Sequence, residues 1–570
     1  MNKYIPLIDT IKNYNKNQIK GDLSAGLTVG VMLIPQGMAY AMIAGLPPIY
    51  GLYASTLPLI IYALLGTSRQ LAVGPVAMVS LLTASAVGLM AEGGTEAYIE
   101  MAIILALLVG LIQFFLGIFK LGFLVNFLSH PVISGFTSAA ALIIGMSQLK
   151  HLLGVDIARS HYIHEIIIAA ANQIGNINWT SFLIGLGGIG LIIGIKKVNK
   201  SIPGSLLAVL FGILVVWGFG LIDQNVKIVG SIPHGLPDFG LPTLDFATLK
   251  LLIPAALAIS LVSFMESIAV AKAIQAKHKD YKIVPDQELI ALGLANVGGA
   301  FIQSYPVTGG FSRTAVNDQS GAKTSIASII SALLIVLTLL FLTPLFYFLP
   351  NAILASIIMV AVFGLIDIKE ANHLWSVNRS DFWMLFVTFI ATLVLGIEQG
   401  IGIGVILSLS MIIYKTTRPH IAVLGKVPDT IFYRNIERFD QLEIRPDLLI
   451  VRFDAQLYFA NINFLKDNLE ELIVEKGTSI KAIIINAESI NNIDSSAIVN
   501  LNDIVTSLRN AGIDIFFSGV KGPVRDAMDL GKLIDNIGED NFHMCVQDAV
   551  NAFDNKPQRA HLEFTSQSNV

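Results

Sequence analysis

Between about Leu23 and Tyr414 the sequence is a succession of apolar runs, each near the ~20 residues that cross a bilayer as a helix. Nothing else in the chain limits its fold so tightly. Such runs must satisfy their own backbone polar groups, so they form helices wherever they meet lipid. Composition agrees: 54% of residues are hydrophobic and only 14% charged, with mean hydropathy +0.69. A soluble surface usually needs about 25% charge. The spacing predicts fourteen spans, at 23–43, 47–65, 74–90, 99–119, 123–148, 180–195, 203–222, 249–271, 286–300, 303–318, 322–343, 348–366, 381–397 and 400–415. The third and tenth are short and interrupted.

Charge between spans orients them. Loops after even-numbered spans carry Arg69, Lys120, Lys196 with Lys197 and Lys200, Lys272 to Lys282, Lys323, Lys369 with Arg379, and Lys415 with Arg418. The opposite loops are acidic or neutral, and the connection from Lys150 to Glu165 fits least well. Excess Lys and Arg mark the cytoplasmic side. Both termini are therefore expected in the cytoplasm of a multi-pass protein of the inner (plasma) membrane. The polar N-terminal segment 1–22 lacks a cleavage site for a signal peptide.

A polar connection at 223–248 separates a first membrane repeat, 23–222, from a second, 249–418. Seven spans in each half imply that the halves lie inverted, as in many secondary carriers. After Pro419 the texture changes. Short buried strands at 448–453, 480–487 and 513–520 alternate with helical patterns near 461–475, 495–511 and 543–553. That alternation predicts a small α/β domain over 428–558 with a mainly parallel sheet, followed by a tail at 559–570. The single cysteine, Cys545, excludes an intramolecular disulfide. There is no Walker motif, zinc-protease motif or dinucleotide fingerprint in a supporting context, so neither an enzyme, a resident cofactor nor an ATP-driven pump is expected. A nucleic-acid partner is not expected either.

The broken spans are the natural place for chemistry. In SRQLAVGPVAMVS (68–80) and SYPVTGGFSRTAVN (304–317), an extended stretch meets a Gly-Pro or Gly-Gly break before a helix can start. Pro75 suits the first position of one helix and Ser312 can cap the other. Two helix beginnings at mid-membrane would aim their amides and positive dipole ends into one cavity, which favours an anion. The alternative is that the glycines only permit tight packing. Arg313, one residue into the second of these helices, lies far from any basic loop. Burying it costs about 2.5–3.5 kcal/mol on insertion scales, and its fork suits oxyanions. It could instead form an ion pair with Glu266, midway along the eighth span. A charged Glu266 would repel a dianion and a protonated one would not, so proton and anion would favour each other's binding. Glu266 could equally be a hydrogen-bonded acid, or hold sodium together with Ser263. In the first span Pro35 should break the helix at mid-depth, and Gln36 and Tyr40 share a face one turn apart. In the soluble part, Asp494 or Ser495 caps a helix and leaves Ser496 exposed in its first turn, where a phosphate would be tolerated.

The stretch IPQGMAYAMIAGLPPIYGLYAS (34–55), with FSRTAVNDQSGAKT (311–324), closely resembles the SulP sulfate permease family, which includes prestin. The tail is similar to a STAS domain through NIDSSA. The resemblance implies seven plus seven inverted spans as in uracil-type permeases, an elevator-like motion and often a homodimer. It implies anion contacts from Gln36, Tyr40, the amides around Val76 and Ala77, and Ser312 with Arg313. It also implies proton coupling at Glu266, where sodium-coupled bicarbonate relatives have Asp, and it links Ser496 to a phosphorylated serine of anti-sigma-factor antagonists. A proton-coupled sulfate symporter leads these expectations. Bicarbonate or a dicarboxylate such as fumarate is the alternative substrate, and a chloride channel or voltage-sensing motor the alternative class. A mere anchor would not bury Arg313 and Glu266, and a nucleobase carrier would need acceptors where the tenth span offers a cation.

Overall fold

The computed structural model describes residues 5–556, except 13, 89, 124–128, 158–162, 199–202, 234, 241, 243–244, 279 and 478. The tail at 559–570 and the start of the fifth span lie outside the described residues. The chain divides into two compact units, Met1–Leu409 and Ser410–Val570.

Each expected span meets a helical segment, but the segments are unequal. Among the described residues eight helices are long and apolar enough to cross a membrane. The second span is broken into Ile49–Tyr53 and Leu57–Leu65, and the seventh, ninth and thirteenth are the shorter Gly204–Gly218, Pro285–Ala300 and Arg379–Leu395. Three expectations need correcting. The helix of the first span runs unbroken over Lys16–Ala44 with Pro35 inside it. Proline removes one helical bond and crowds the preceding turn, yet here the surrounding bundle holds the helix continuous. That helix also starts at Lys16, ahead of the expected span start at 23. Finally, the connection between the fifth and sixth spans contains an apolar helix, Ile163–Asn172, which the loop reading missed.

Inversion is visible in the packing. The first-span helix lies against the eleventh, Ile326–Leu337, and the eighth, Phe246–Gln275, lies against the fourth, Glu96–Ile118. These two pairs exchange when seven is added to or taken from each span number. The same exchange relates the fifth–thirteenth pair to the twelfth–sixth, and the third–eighth pair to the tenth–first. Close approach is built in at the fourth–ninth crossing: a Cβ added to Gly110 would sit 2.7 Å from the Gly293 carbonyl, and one added to Gly293 2.7 Å from that of Gly110. Small residues at such crossings let helices pack where lipid supplies no hydrophobic drive. The eighth span shows the resulting polarity, turning Leu251 and Leu257 outward while burying Ser260, Ser263 and Ser267.

Strands β1 (Val73–Gly74) and β2 (Thr308–Gly309) are the non-helical parts of the two broken spans, and they pair antiparallel with Val73 opposite Gly309. Side chains complete what so short a ladder cannot. Asn296 accepts from the Val307 amide (2.8 Å) and donates to its carbonyl (3.1 Å), while the Ser267 hydroxyl accepts from the Gly309 amide (2.8 Å). Non-helical backbone at membrane depth is tolerated only when buried in protein or facing a cavity, and here it does both.

The second unit carries a six-stranded sheet in the order β4-β3-β5-β6-β7-β8, with β3 Ile421–Lys426, β4 Tyr433–Asn435, β5 Leu448–Phe453, β6 Ala482–Asn486, β7 Asp514–Ser518 and β8 Phe542–His543. The β5 to β8 pairs are parallel and β3 is antiparallel to both neighbours. Leu449 and Val451 enter one core and Leu448 and Ile450 another, so the strands are buried on both faces. That explains their continuous apolar runs. The sheet begins at Ile421, before the expected boundary at 428.

Candidate anion site

Helix Ala77–Gly88 follows β1, and its first described helical bond runs from the Ser80 amide to the Val76 carbonyl (2.9 Å). Helix Phe311–Gln319 follows β2, and its first bond runs from the Thr314 amide to the Gly310 carbonyl (3.0 Å). Val76 and Gly310 are thus the caps. This corrects two expectations. Pro75 stands before its helix rather than at the first helical position, and Ser312 is the second residue of its helix, not the cap. Arg313 is accordingly the third residue. The first amides of a helix have no partner within it, and here both sets begin where the two strands cross.

One cavity of about 730 Å³ is lined by Gln36, Tyr40, Val76, Ala77, Ser312 and Arg313, and Glu266 borders it as well. Helical spacing brings Gln36 and Tyr40 to the same wall, and Val262, Met265 and Ala269 surround Glu266 on theirs. Ser263 is not part of the lining. It is fully buried on another side of its helix, donating to the Ile259 carbonyl (2.5 Å) and accepting from Gln113 Nε2 (2.8 Å). Glu266 and Ser263 therefore do not face one cavity together.

Arg313 is 2% exposed. Its Nη1 donates to the Pro75 carbonyl (2.6 Å), so a cation from the second half is tied to the break in the first. Its Nε and Nη2 have no hydrogen-bond partner, and neither has Glu266 Oε2 or Gln36 Oε1. The expected alternative, a carboxylate bonded to the guanidinium, is not formed. Buried polar atoms without partners are uncommon and call for an explanation. Gly310 makes room for the guanidinium, since a Cβ there would lie 3.0 Å from Nη2. Behind the site, Thr314 Oγ1 accepts from the Ala72 amide (3.0 Å) and donates to the Gly310 carbonyl (2.7 Å), while Asn317 Nδ2 donates to the Gln70 carbonyl (2.8 Å).

Sequence reasoning missed several lining residues. Phe311 and Met78 adjoin predicted ones, and His130 and Lys196 stand at the ends of helices that the charge pattern places on the basic side. Two buried carboxylates were also missed. Asp22, taken as interfacial, is fully buried and accepts from the amides of Lys323 (2.6 Å) and Thr324 (2.9 Å), the Thr324 hydroxyl (2.5 Å) and Tyr14 (3.0 Å). Glu288 accepts likewise from the Thr67 amide and hydroxyl (both 2.6 Å), the Ser68 amide (3.1 Å) and Tyr62 (2.6 Å). Each fixes the chain where it enters or leaves a broken span. In the second unit Asp494, not Ser495, is the cap, accepting from the Ala497 amide (2.8 Å), and Ser496 is exposed in the first turn of helix Ser495–Asn510.

Residues 19–388 match the sulfate permease family model, and 441–549 match the STAS domain. The chain belongs to the sulfate permease family. Among its relatives, the probable sulfate transporter 4.2 of Arabidopsis thaliana is 41% identical over 95% of this chain and 82% of its own length. The probable sulfate transporter MT1781 of Mycobacterium tuberculosis is 34% identical over 96% of this chain and 98% of its own. Among solved structures, the murine Solute Carrier 26 family member A9 anion transporter in the inward-facing state has a TM-score of 0.89 at 26% identity, covering 97% of this chain and 94% of that one. The permease thus combines a helical membrane part of inverted halves with a STAS domain.

Proposed function

We propose that this permease is a secondary active anion transporter whose substrate is sulfate, moved together with a proton. One observation carries the reading: Arg313, buried with two unpartnered nitrogens, stands in the same cavity as two helix beginnings. Donors fixed in place and lacking partners cost free energy until an acceptor fills them. The guanidinium fork and the amides around Ala77 and Ser312 supply such donors, and Gln36 and Tyr40 add groups without net charge. Relatives named as sulfate transporters make sulfate the first anion to test.

Glu266 is the coupling group in this reading. Beside Arg313 an ionised carboxylate cancels part of the attraction for a dianion, and a proton on it restores that attraction. The cavity is also lined by His130 and Lys196, from the side whose loops are basic, which supports reading the present shape as one that faces the cytoplasm. Return to the other side is an elevator-like motion of the broken spans and their neighbours, in a homodimer of the inner (plasma) membrane with both termini cytoplasmic. Ser496 is the position at which a phosphate on the STAS domain would act.

Labelled sulfate uptake into proteoliposomes tests the coupling. An inward proton gradient should accelerate uptake severalfold, and Glu266→Gln should remove that acceleration. Uptake indifferent to the gradient in the unmodified protein sinks proton coupling. Currents far larger than stoichiometric flux would replace the carrier by a channel.

A further inference from the structure

The connection between the twelfth and thirteenth spans holds helix Ile368–Val377, on the side whose loops are basic. One face turns inward through Leu374 and Glu370. On a second face Ile368 and Trp375, two turns apart, are 68% and 48% exposed. A third exposes Lys369, Asn372, His373 and Ser376. The apolar face does not stop with the helix. The Trp375 ring meets Phe382 edge-on with centroids 4.8 Å apart, and Phe382 continues to Trp383 (5.8 Å) and Phe386 (6.1 Å) along the thirteenth span. The Arg379 guanidinium lies 5.4 Å over the Trp375 ring. A helix with one apolar and one polar face, bordered by Trp and basic residues, is built to lie in a bilayer interface. Its inverted mate, Ile163–Asn172 between the fifth and sixth spans, also exposes Ile167 and Ile168 but contains no Lys or Arg. The repeat therefore asks for the apolar face, and the cations of the second copy need a reason of their own.

We propose that helix Ile368–Val377 is a docking surface for anionic phospholipid, and that its seating is felt in the anion cavity. Acyl chains lie against Ile368, Trp375 and Trp383. Lys369 and Arg379 draw the charged headgroups, as basic residues beside a bilayer do. A guanidinium stacked on an indole keeps its planar edge free for phosphate. The inward face of the same helix reaches the cavity. Glu370 Oε1 lies 3.2 Å from His130 Nδ1, and His130 lines the cavity together with Gly364 and Leu365, which stand just before the helix. A helix held down by lipid keeps Glu370 against His130; a helix released from it does not. This second step rests on the transport reading above, whereas the docking does not.

The test uses the full-length protein in vesicles of phosphatidylcholine and phosphatidylglycerol, one of the two brominated on its acyl chains. Trp179→Phe, Trp217→Phe and Trp383→Phe together leave Trp375 as the one indole. At equal mole fraction, brominated phosphatidylglycerol should quench Trp375 severalfold more than brominated phosphatidylcholine. Adding Lys369→Gln and Arg379→Gln should make the two lipids equal. Equal quenching before that change would overturn the preference for anionic lipid. No quenching by either would show that another protein surface, such as a second copy, covers the face, and would overturn the docking. Sulfate uptake then tests the link to the cavity. Phosphatidylglycerol should raise uptake severalfold in the otherwise unmodified protein, and Glu370→Gln should lose that response while keeping the selective quenching. Vesicle charge acts on sulfate alike in both proteins, so the difference between them reports the Glu370–His130 contact. A Glu370→Gln protein that responds as before would overturn the link. Absence of sulfate uptake in every membrane would count against the transport reading, and the quenching would still decide the docking.

Discussion

The two half-helices have the same geometry and opposite chemistry. Both follow a two-residue strand, and both start at the crossing of β1 and β2. Ala77–Gly88 is apolar and buried through ten of its residues, whereas Phe311–Gln319 carries Arg313, Thr314 and Asn317 on its buried side. The first half therefore gives the cavity a dipole end and a smooth wall. The second gives it a dipole end, a full charge and the polar ties to the backbone on either side of β1. Inverted repeats supply matching positive ends at little cost, but a second arginine in the same space would meet the first without a counter-ion. One cation, placed in one half and bonded to the backbone of the other, gives attraction without that repulsion.

The largest way to break this comparison is to make the halves alike. Arg313→Leu leaves two dipole ends and no charge. Removing one partner of a buried, hydrogen-bonded charge interaction costs about 2–5 kcal/mol. Sulfate affinity should fall by about thirtyfold or more, measured by anion-dependent thermal stabilisation. Anion binding that survives within a few-fold would show that the helix ends alone suffice. Next in size are the glycines at the two breaks, Gly74 in β1 and the cap Gly310, which should fail differently. Gly74 has φ +148°, so Gly74→Ala strains the backbone and should cost about 1–3 kcal/mol of stability. Gly310 has an ordinary φ of −96°. Gly310→Ala should spare stability but push against Nη2 and lower sulfate affinity, leaving the thermal midpoint without anion nearly unchanged. Equal losses of stability in both would dissolve the distinction.

Much of this asymmetry was legible in the sequence, and the failures have physical reasons. Arg313 stood out because a guanidinium at membrane depth must have a purpose, and Glu266 for the same cause. The breaks at Gly74-Pro75 and Gly309-Gly310 marked where helices could begin. Their exact starts were misjudged because capping preferences describe helices in water, where a serine hydroxyl competes for amides that this site leaves open to the cavity. The pairing of β1 with β2 could not be read, since two residues make no periodic pattern. Asp22 and Glu288 were invisible because their partners are backbone amides of loops remote in sequence. Pro35 misled because local propensity yields to tertiary packing in a bundle. In the second unit the continuous runs of β5, β6 and β7 announced themselves, while the short β4 and β8 did not.

The smallest expected contrast concerns the polar ties behind each half-helix. Thr314→Val is nearly isosteric and leaves the buried Ala72 amide without its acceptor, which should cost about 1–3 kcal/mol. Ser80 makes the corresponding tie of the first half, a 3.1 Å hydroxyl pair with Tyr305. Ser80→Ala should cost about 1 kcal/mol, because the phenol can reorient its proton whereas an amide fixed in a strand cannot. Thermal unfolding of the two variants without anion should rank Thr314→Val below Ser80→Ala, with the unmodified protein above both. Sulfate affinity should decline in Thr314→Val alone, since only that residue also anchors the Gly310 carbonyl from which the Arg313 helix starts. The reverse ranking would mean that the first half-helix, not the second, is the one whose position the site depends on.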